Sequence, residues 1–258
     1  MHPFFIALLL STLAGLATTI GSLIAFFIRK PNKQVISFIM GFSAGVMILV
    51  SFVELLQQGI QTNGILVGMS FFLIGMMIML LIDMKVSHYY EYEEEDSKTS
   101  QENKRQNQKN NLRKTSVLVA LGVFIHNFPE GMATFIGALK DINLGILITT
   151  AIALHNIPEG IAVATTVASY DDSKLKPILW SFLSGISEPI GALIVGLFLF
   201  PFVTDYLLGA MLSLVGGFMI YISLDELLPM SRSLGKEHIS ILGIAAGMFA
   251  MSLSIAIL

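Results

Sequence analysis

The sequence predicts an all-α polytopic membrane protein: eight transmembrane helices in a 3+2+3 inverted-repeat bundle, with both termini outside. Three observations predict it. Only 13% of the 258 residues are charged and 54% are hydrophobic, whereas a soluble domain carries roughly 25% charged residues. Eight apolar runs each reach the length of about 20 residues that a spanning helix needs. One stretch of the second run returns in the seventh with seven of twelve residues identical.

The eight runs cover 4–28, 35–57, 64–83, 116–138, 144–169, 177–199, 206–228 and 238–257. Mean hydropathy over the whole chain is +0.77. Residues 1–83 hold the first three runs, 116–169 the central pair and 177–258 the last three. Between them, 84–115 is nearly free of aliphatic side chains and rich in Glu, Lys, Gln and Asn. Such a composition cannot bury a core, so a solvated, partly helical cytoplasmic loop is expected. The start, Met1-His2-Pro3-Phe4, lacks a basic flank, so the first run is expected to remain as a span rather than to be cleaved.

Basic residues orient the chain. Arg29, Lys30 and Lys33, then Lys174 and Lys176, then Arg232 and Lys236 mark three short connections on one side. The 84–115 connection adds seven more there, and only Lys140 falls on the other side. The basic side reads as cytoplasm, which places the protein in the cell inner (plasma) membrane with extracytoplasmic termini. There is no cysteine, hence no disulfide framework and no thiolate metal site. Lipid is the expected surroundings, and no nucleic-acid partner is expected.

The repeated stretch is Gly45-Val46-Met47-Ile48-Leu49-Val50-Ser51-Phe52-Val53-Glu54-Leu55-Leu56 against Gly217-Phe218-Met219-Ile220-Tyr221-Ile222-Ser223-Leu224-Asp225-Glu226-Leu227-Leu228. By the topology, the two copies run in opposite directions. Spans 1–3 and 6–8 thus read as inverted repeats around a central pair, an arrangement that places substrate near the midplane in many transporters.

The central pair carries the chemistry. His126-Asn127-Phe128-Pro129-Glu130-Gly131 in the fourth run returns as His155-Asn156-Ile157-Pro158-Glu159-Gly160 in the fifth. His and Glu four residues apart share a helix face. Both hexapeptides lie near the middle of a hydrocarbon layer roughly 30 Å thick. The sixth run adds Ser187-Glu188-Pro189 at similar depth. Three carboxylates, two imidazoles and two amides therefore meet where an ionisable group is costly without a purpose. Divalent cations would neutralise them, and this donor set suits Zn, Fe(II) and Mn rather than Cu(I). Proline cannot donate to the carbonyl four residues back, so Pro129, Pro158 and Pro189 are expected to open the helices at Ile125, Leu154 and Gly185.

Other polar positions are weighed against plainer roles. Glu54 near the outer end of span two, and Asp225 and Glu226 near the inner end of span seven, are placed to gather cations at an entrance and an exit. Met47, seven residues before Glu54, falls on the same stripe, where packing competes with ligation. Asp83 and His88 read as caps in water, and Glu91–Asp96 as a solvated acidic face. The pairs Gly41/Gly45, Gly64/Gly68 and Gly243/Gly247 read as sites of close helix packing.

With these motifs the chain resembles the ZIP family of divalent metal transporters, in its ZupT-like bacterial branch, over the whole length. The resemblance implies inward transport of Zn, and of Fe(II), Mn, Co and Cd, as substrates rather than cofactors. It implies a first metal site of His126, Glu130, His155 and Glu159. A second would comprise Asn127, Asn156 and Glu188, with Glu130 and Glu159 bridging. It also implies a homodimer, and movement of spans 1, 4, 5 and 6 against spans 2, 3, 7 and 8. A histidine-rich loop, present in many eukaryotic members, is replaced here by a segment with His88 alone. The alternative class is an intramembrane metalloenzyme such as a zinc protease. That chemistry uses His-Glu-x-x-His on one helix, whereas each hexapeptide here has one histidine.

Overall fold

The computed structural model describes residues 3–28, 32–84, 101–168, 171, 173–199, 202, 204–234 and 237–257. His88 and the acidic run Glu91–Asp96 lie outside them. The order of elements is α1 (Pro3–Ile28), α2 (Lys33–Val50), a π-helical turn (Ser51–Leu56), α3 (Gln57–Asn63), α4 (Ile65–Asp83), α5 (Gln101–Lys140) and α6 (Ile142–Ala168). Then follow α7 (Leu175–Gly185), α8 (Ser187–Leu199), α9 (Asp205–Ile222), a second π-helical turn (Ser223–Leu227), α10 (Leu228–Leu234) and α11 (Glu237–Ile257). Among the described residues there is no strand.

Seven helical segments among the described residues are long and apolar enough to cross a membrane. The 40-residue α5 is a further long helix; its first part is polar and its second carries the first hexapeptide. Large apolar side chains such as Leu66, Phe198 and Phe249 are exposed around the bundle, the surface of a protein whose solvent is lipid. The fold is thus an all-α polytopic membrane protein.

Helix starts are set by short polar caps. Asn32 Oδ1 accepts the Gln34 N–H at 3.1 Å, and Thr204 Oγ1 accepts the Leu207 N–H at 3.1 Å. Asp141 Oδ1 accepts from Asn143 and Leu144 at 2.9 and 3.0 Å. Each satisfies donors that the first turn leaves open. Gly64 ends α3 with φ of 82° and meets nothing within 4 Å. With ψ of 160° it leaves the helix in a conformation essentially reserved for glycine, and it is not half of a packing pair.

Two spans run longer than their hydropathy suggests. The second continues from Leu56 through Gln57-Gln58-Gly59-Ile60-Gln61-Thr62-Asn63, and the seventh continues through α10. Extending a helix gains one hydrogen bond per residue whether or not the side chains are apolar. Glu54 and Glu226 therefore sit well inside helices. Both lie in π-helical turns, which insert an extra residue. Seven-residue spacing no longer spans two turns there; Met47 is fully buried while Glu54 is half-buried.

Prolines act unequally. Pro129 and Pro158 lie inside the continuous helices α5 and α6. At Pro189 the span breaks: α7 ends at Gly185 and α8 begins at Ser187. The charged loop is helical from Gln101, continuous with the fourth span.

Glycine contacts relate the two halves of the chain. A β-carbon on Gly45 would overlap the Ile244 carbonyl, and one on Gly217 the Phe72 carbonyl. Gly247 meets the Phe42 carbonyl as Gly75 meets that of Leu214. Gly21 meets the Ile157 carbonyl as Gly191 meets that of Phe128. Gly15 and Gly185 each meet the other's carbonyl. Each pair maps onto its counterpart when spans 1, 2, 3 and 4 are exchanged for 6, 7, 8 and 5. The π-helical turns follow the same rule: Ser51 Oγ donates to the Met47 carbonyl and Ser223 Oγ to the Met219 carbonyl, both at 2.7 Å.

Helices sort into two groups. α1 packs on α5, α6, α7 and α8, while α2 packs on α11 and α4 on α9. The groups meet along the α2–α6 and α5–α9 seams. An apolar cleft of about 340 Å³ follows the second seam, lined by Met79, Ile82, Phe124, Ile125, Phe128, Pro129, Met132 and Phe218.

Candidate metal centre

The two hexapeptides face each other because α5 and α6 pack side by side and their terminal glycines allow close flanking helices. A β-carbon on Gly131 would overlap the Glu188 carbonyl, and one on Gly160 the Thr18 carbonyl. α8 is thereby drawn against α5, and α1 against α6.

Glu130, His155 and Glu159 are buried and offer ligand atoms all within 4.8 Å of one another. Glu130 Oε1 lies 3.0 Å from His155 Nε2, and both side chains are fully buried. Asn156 Nδ2 donates to Glu188 Oε1 and, at 2.9 Å, to the Ala14 carbonyl. Glu188 is 0% exposed. Two buried carboxylates this close repel one another when both are ionised, so the Glu130–His155–Glu159 group fits a cation. Imidazole with carboxylate oxygens is a donor set suited to Zn, Fe(II) or Mn.

Asn127 reaches the same cluster from the other hexapeptide. Its amide Nδ2 lies 3.5 Å from both Thr18 Oγ1 and the Ser184 carbonyl. The amide oxygen then faces only acceptors, the Val123 carbonyl at 3.0 Å and Glu159 Oε2 at 3.3 Å. Turning the amide over resolves this, because Nδ2 then donates to the Val123 carbonyl and to Glu159 Oε2. Asn127 thus lies between Glu159 and Thr18 of α1.

Of the residues predicted from sequence, the structure brings together Glu130, His155 and Glu159, sets Asn127 beside Glu159 and pairs Asn156 with Glu188. The side chain of His126 lies outside the described residues. Met47 is fully buried in the apolar core. Glu54 is half-buried, Asp225 exposed and Glu226 half-buried. Glu226 Oε2 faces α5, where a β-carbon on Gly122 would lie 3.5 Å away; Gly122 is one turn ahead of His126. Asp83 is no solvated cap: Tyr221 Oη donates to its Oδ2 at 2.9 Å, joining α4 to α9.

The sequence reading missed Thr18. A weak signal was present: Leu13-x-Gly15-x-x-x-x-Ile20-Gly21 recurs as Leu183-x-Gly185-x-x-x-x-Ile190-Gly191. It also missed Ser43, whose Oγ donates to the His155 carbonyl at 3.4 Å, tying α2 to the site.

A polytopic helical protein with a buried acidic cage belongs to the class of membrane transporters, and the comparisons name the family. The family model described as ZIP zinc transporter matches residues 83–255. A zinc transporter ZupT of Clostridium perfringens is 44% identical, covering 99% of this chain and 96% of its own length. One of Campylobacter jejuni is 40% identical, covering 100% and 98%, and one of Chlorobium limicola 42%, covering 100% of each. The chain belongs to the ZIP family. That family comprises transporters, not enzymes, so the protease alternative is not favoured.

Proposed function

We propose that this protein carries zinc, and by the same donor chemistry Fe(II), Mn, Co and Cd, into the cytoplasm of the cell through a site at the middle of the bundle. The observation that carries this reading is the buried Glu130–His155–Glu159 cluster. His126, Glu130, His155 and Glu159 hold one ion. Asn127, Asn156 and Glu188 hold a second beside it, with Glu130 and Glu159 shared. A divalent ion gives up its water for these oxygens and nitrogens, and the carboxylates supply the charge that offsets the lost hydration.

Eight spans in a 3+2+3 order leave both termini outside and the basic connections in the cytoplasm of an inner-membrane protein. Glu54 serves the outer half of the route, and Asp225 and Glu226 the inner half; the position of Glu226 across from Gly122, one turn from the first hexapeptide, supports this. π-helical turns recur at functional sites because they re-aim side chains, and here the first holds Glu54 and the second Asp225 and Glu226. Met47 packs rather than ligates. A homodimer in the lipid completes the reading.

The test is uptake of radiolabelled zinc by proteoliposomes that contain only this protein. Zinc accumulation above protein-free vesicles, competed by Fe(II) and Mn, is expected. Vesicles that take up no more zinc than empty ones would overturn the reading.

A further inference from the structure

The exchange of spans that relates the two halves also relates the two asparagines. Asn156 Nδ2 contacts the Ala14 carbonyl and the Glu188 carboxylate. The Asn127 amide lies 3.5 Å from both the Ser184 carbonyl and the Thr18 hydroxyl. Ala14 and Ser184 occupy equivalent positions, each one residue before the reciprocal glycines Gly15 and Gly185. Thr18 and Glu188 each lie three residues after those glycines and three before the equivalent Gly21 and Gly191. Their main chains are used alike too, since Gly160 abuts the Thr18 carbonyl as Gly131 abuts that of Glu188. Both side chains are fully buried.

Resting on the reading above, we propose that Thr18 is a positioning residue of the transport site: its hydroxyl holds Asn127 where Glu188 holds Asn156, and it adds no further carboxylate to that half of the site. Thr18 reaches the cargo through Asn127. Turned over, the amide places Nδ2 3.3 Å from Glu159 Oε2 and its oxygen toward the Thr18 hydroxyl, so the Thr18 contact sets one edge of the cage. The substitution of a hydroxyl for a carboxylate has a clear electrostatic consequence. A fourth buried carboxylate would deepen the well for a divalent ion, and a carrier must release what it binds. Thr18 therefore leaves the Asn127 half as the weaker half.

Zinc uptake into proteoliposomes is measured for the wild type and for Thr18→Val, Thr18→Ser and Thr18→Asp. Thr18→Val keeps the shape and loses the hydroxyl; its KM for zinc is expected to rise about threefold to tenfold, by more than any loss in Vmax. Thr18→Ser is expected to restore the wild-type KM, which a merely packing role would not predict. Thr18→Asp is expected to lower both KM and Vmax, because tighter holding slows release. A KM for Thr18→Val within error of wild type overturns the inference, as does a Thr18→Ser protein no better than Thr18→Val. If the wild type itself takes up no zinc, it is the transport reading that fails. If the wild type transports and the Thr18 variants are indistinguishable from it, only the role of Thr18 fails. Monodispersity of each variant in detergent excludes misfolding as the cause of a change.

Discussion

In the proposed site, Glu130 and Glu159 carry the charge that a divalent ion needs, while His155 Nε2, 3.0 Å from Glu130 Oε1, supplies the softer donor. Replacing one carboxylate by its amide keeps the volume and removes the charge. Glu130→Gln and Glu159→Gln are each expected to weaken zinc binding at least about tenfold, since even an outer partner of a metal ligand is worth 10–100-fold. Isothermal titration of the purified protein reads this directly, with helix content by circular dichroism unchanged. Asp83 and Tyr221 make a different kind of residue-scale claim. Their hydrogen bond of 2.9 Å joins α4 to α9, and such a bond contributes about 1 kcal/mol. Tyr221→Phe should lower thermal stability in detergent by that order. The hexapeptides were legible because ionisable groups stand out against an apolar run. Thr18 was not, since a lone threonine in a span has no such contrast and its importance lies in the neighbour it meets.

At the scale of elements, glycines decide how near the helices come. Gly131 and Gly160 admit the Glu188 and Thr18 carbonyls to positions a β-carbon would occupy. Either one changed to Ala must push α8 or α1 away, and overpacking of this kind costs about 1–3 kcal/mol. Gly122→Ala, whose β-carbon meets only Glu226 Oε2 at 3.5 Å, is expected to keep its thermal midpoint. A Gly160→Ala protein as stable as wild type would contradict the packing argument. The small-residue spacing of Gly41/Gly45 and Gly243/Gly247 announced a contact, and each pair proves to receive carbonyls from the other's helix. The same spacing misled at Gly64, where a positive φ rather than proximity requires glycine. The π-helical turns were invisible in advance. Their repeat partners, Ser51 and Ser223, look like ordinary span residues until their hydroxyls bond back to Met47 and Met219.

Across the whole molecule, two helix groups meet along apolar seams and are bridged at one end by Lys140. Its Nζ donates to Thr62 Oγ1 at 2.5 Å and to the Gln58 carbonyl at 3.4 Å, tying the end of α5 to α3. Burial pulls the Lys140 ammonium below its usual pKa, and the Asp205 carboxylate opposes that. If transport slides one group past the other, this bridge must break in each cycle. Because the chain has no cysteine, cysteines placed at Thr62 and Lys140 can be joined by a cleavable thiol-reactive linker. Zinc uptake is expected to fall to background on linking and to recover on cleavage. Undiminished uptake by the linked protein would mean that the seam does not move.

By itself, the sequence determined the all-α membrane class, the internal repeat and the donor types available to a metal, because hydropathy, repetition and chemical identity are properties of a linear string. Only the tertiary structure decided that Glu130, His155 and Glu159 meet in one buried group, that Met47 is packed in the apolar core and that Thr18 is the counterpart of Glu188. Those outcomes depend on how closely neighbouring helices approach and at what rotation. One glycine or one extra residue in a turn resets both.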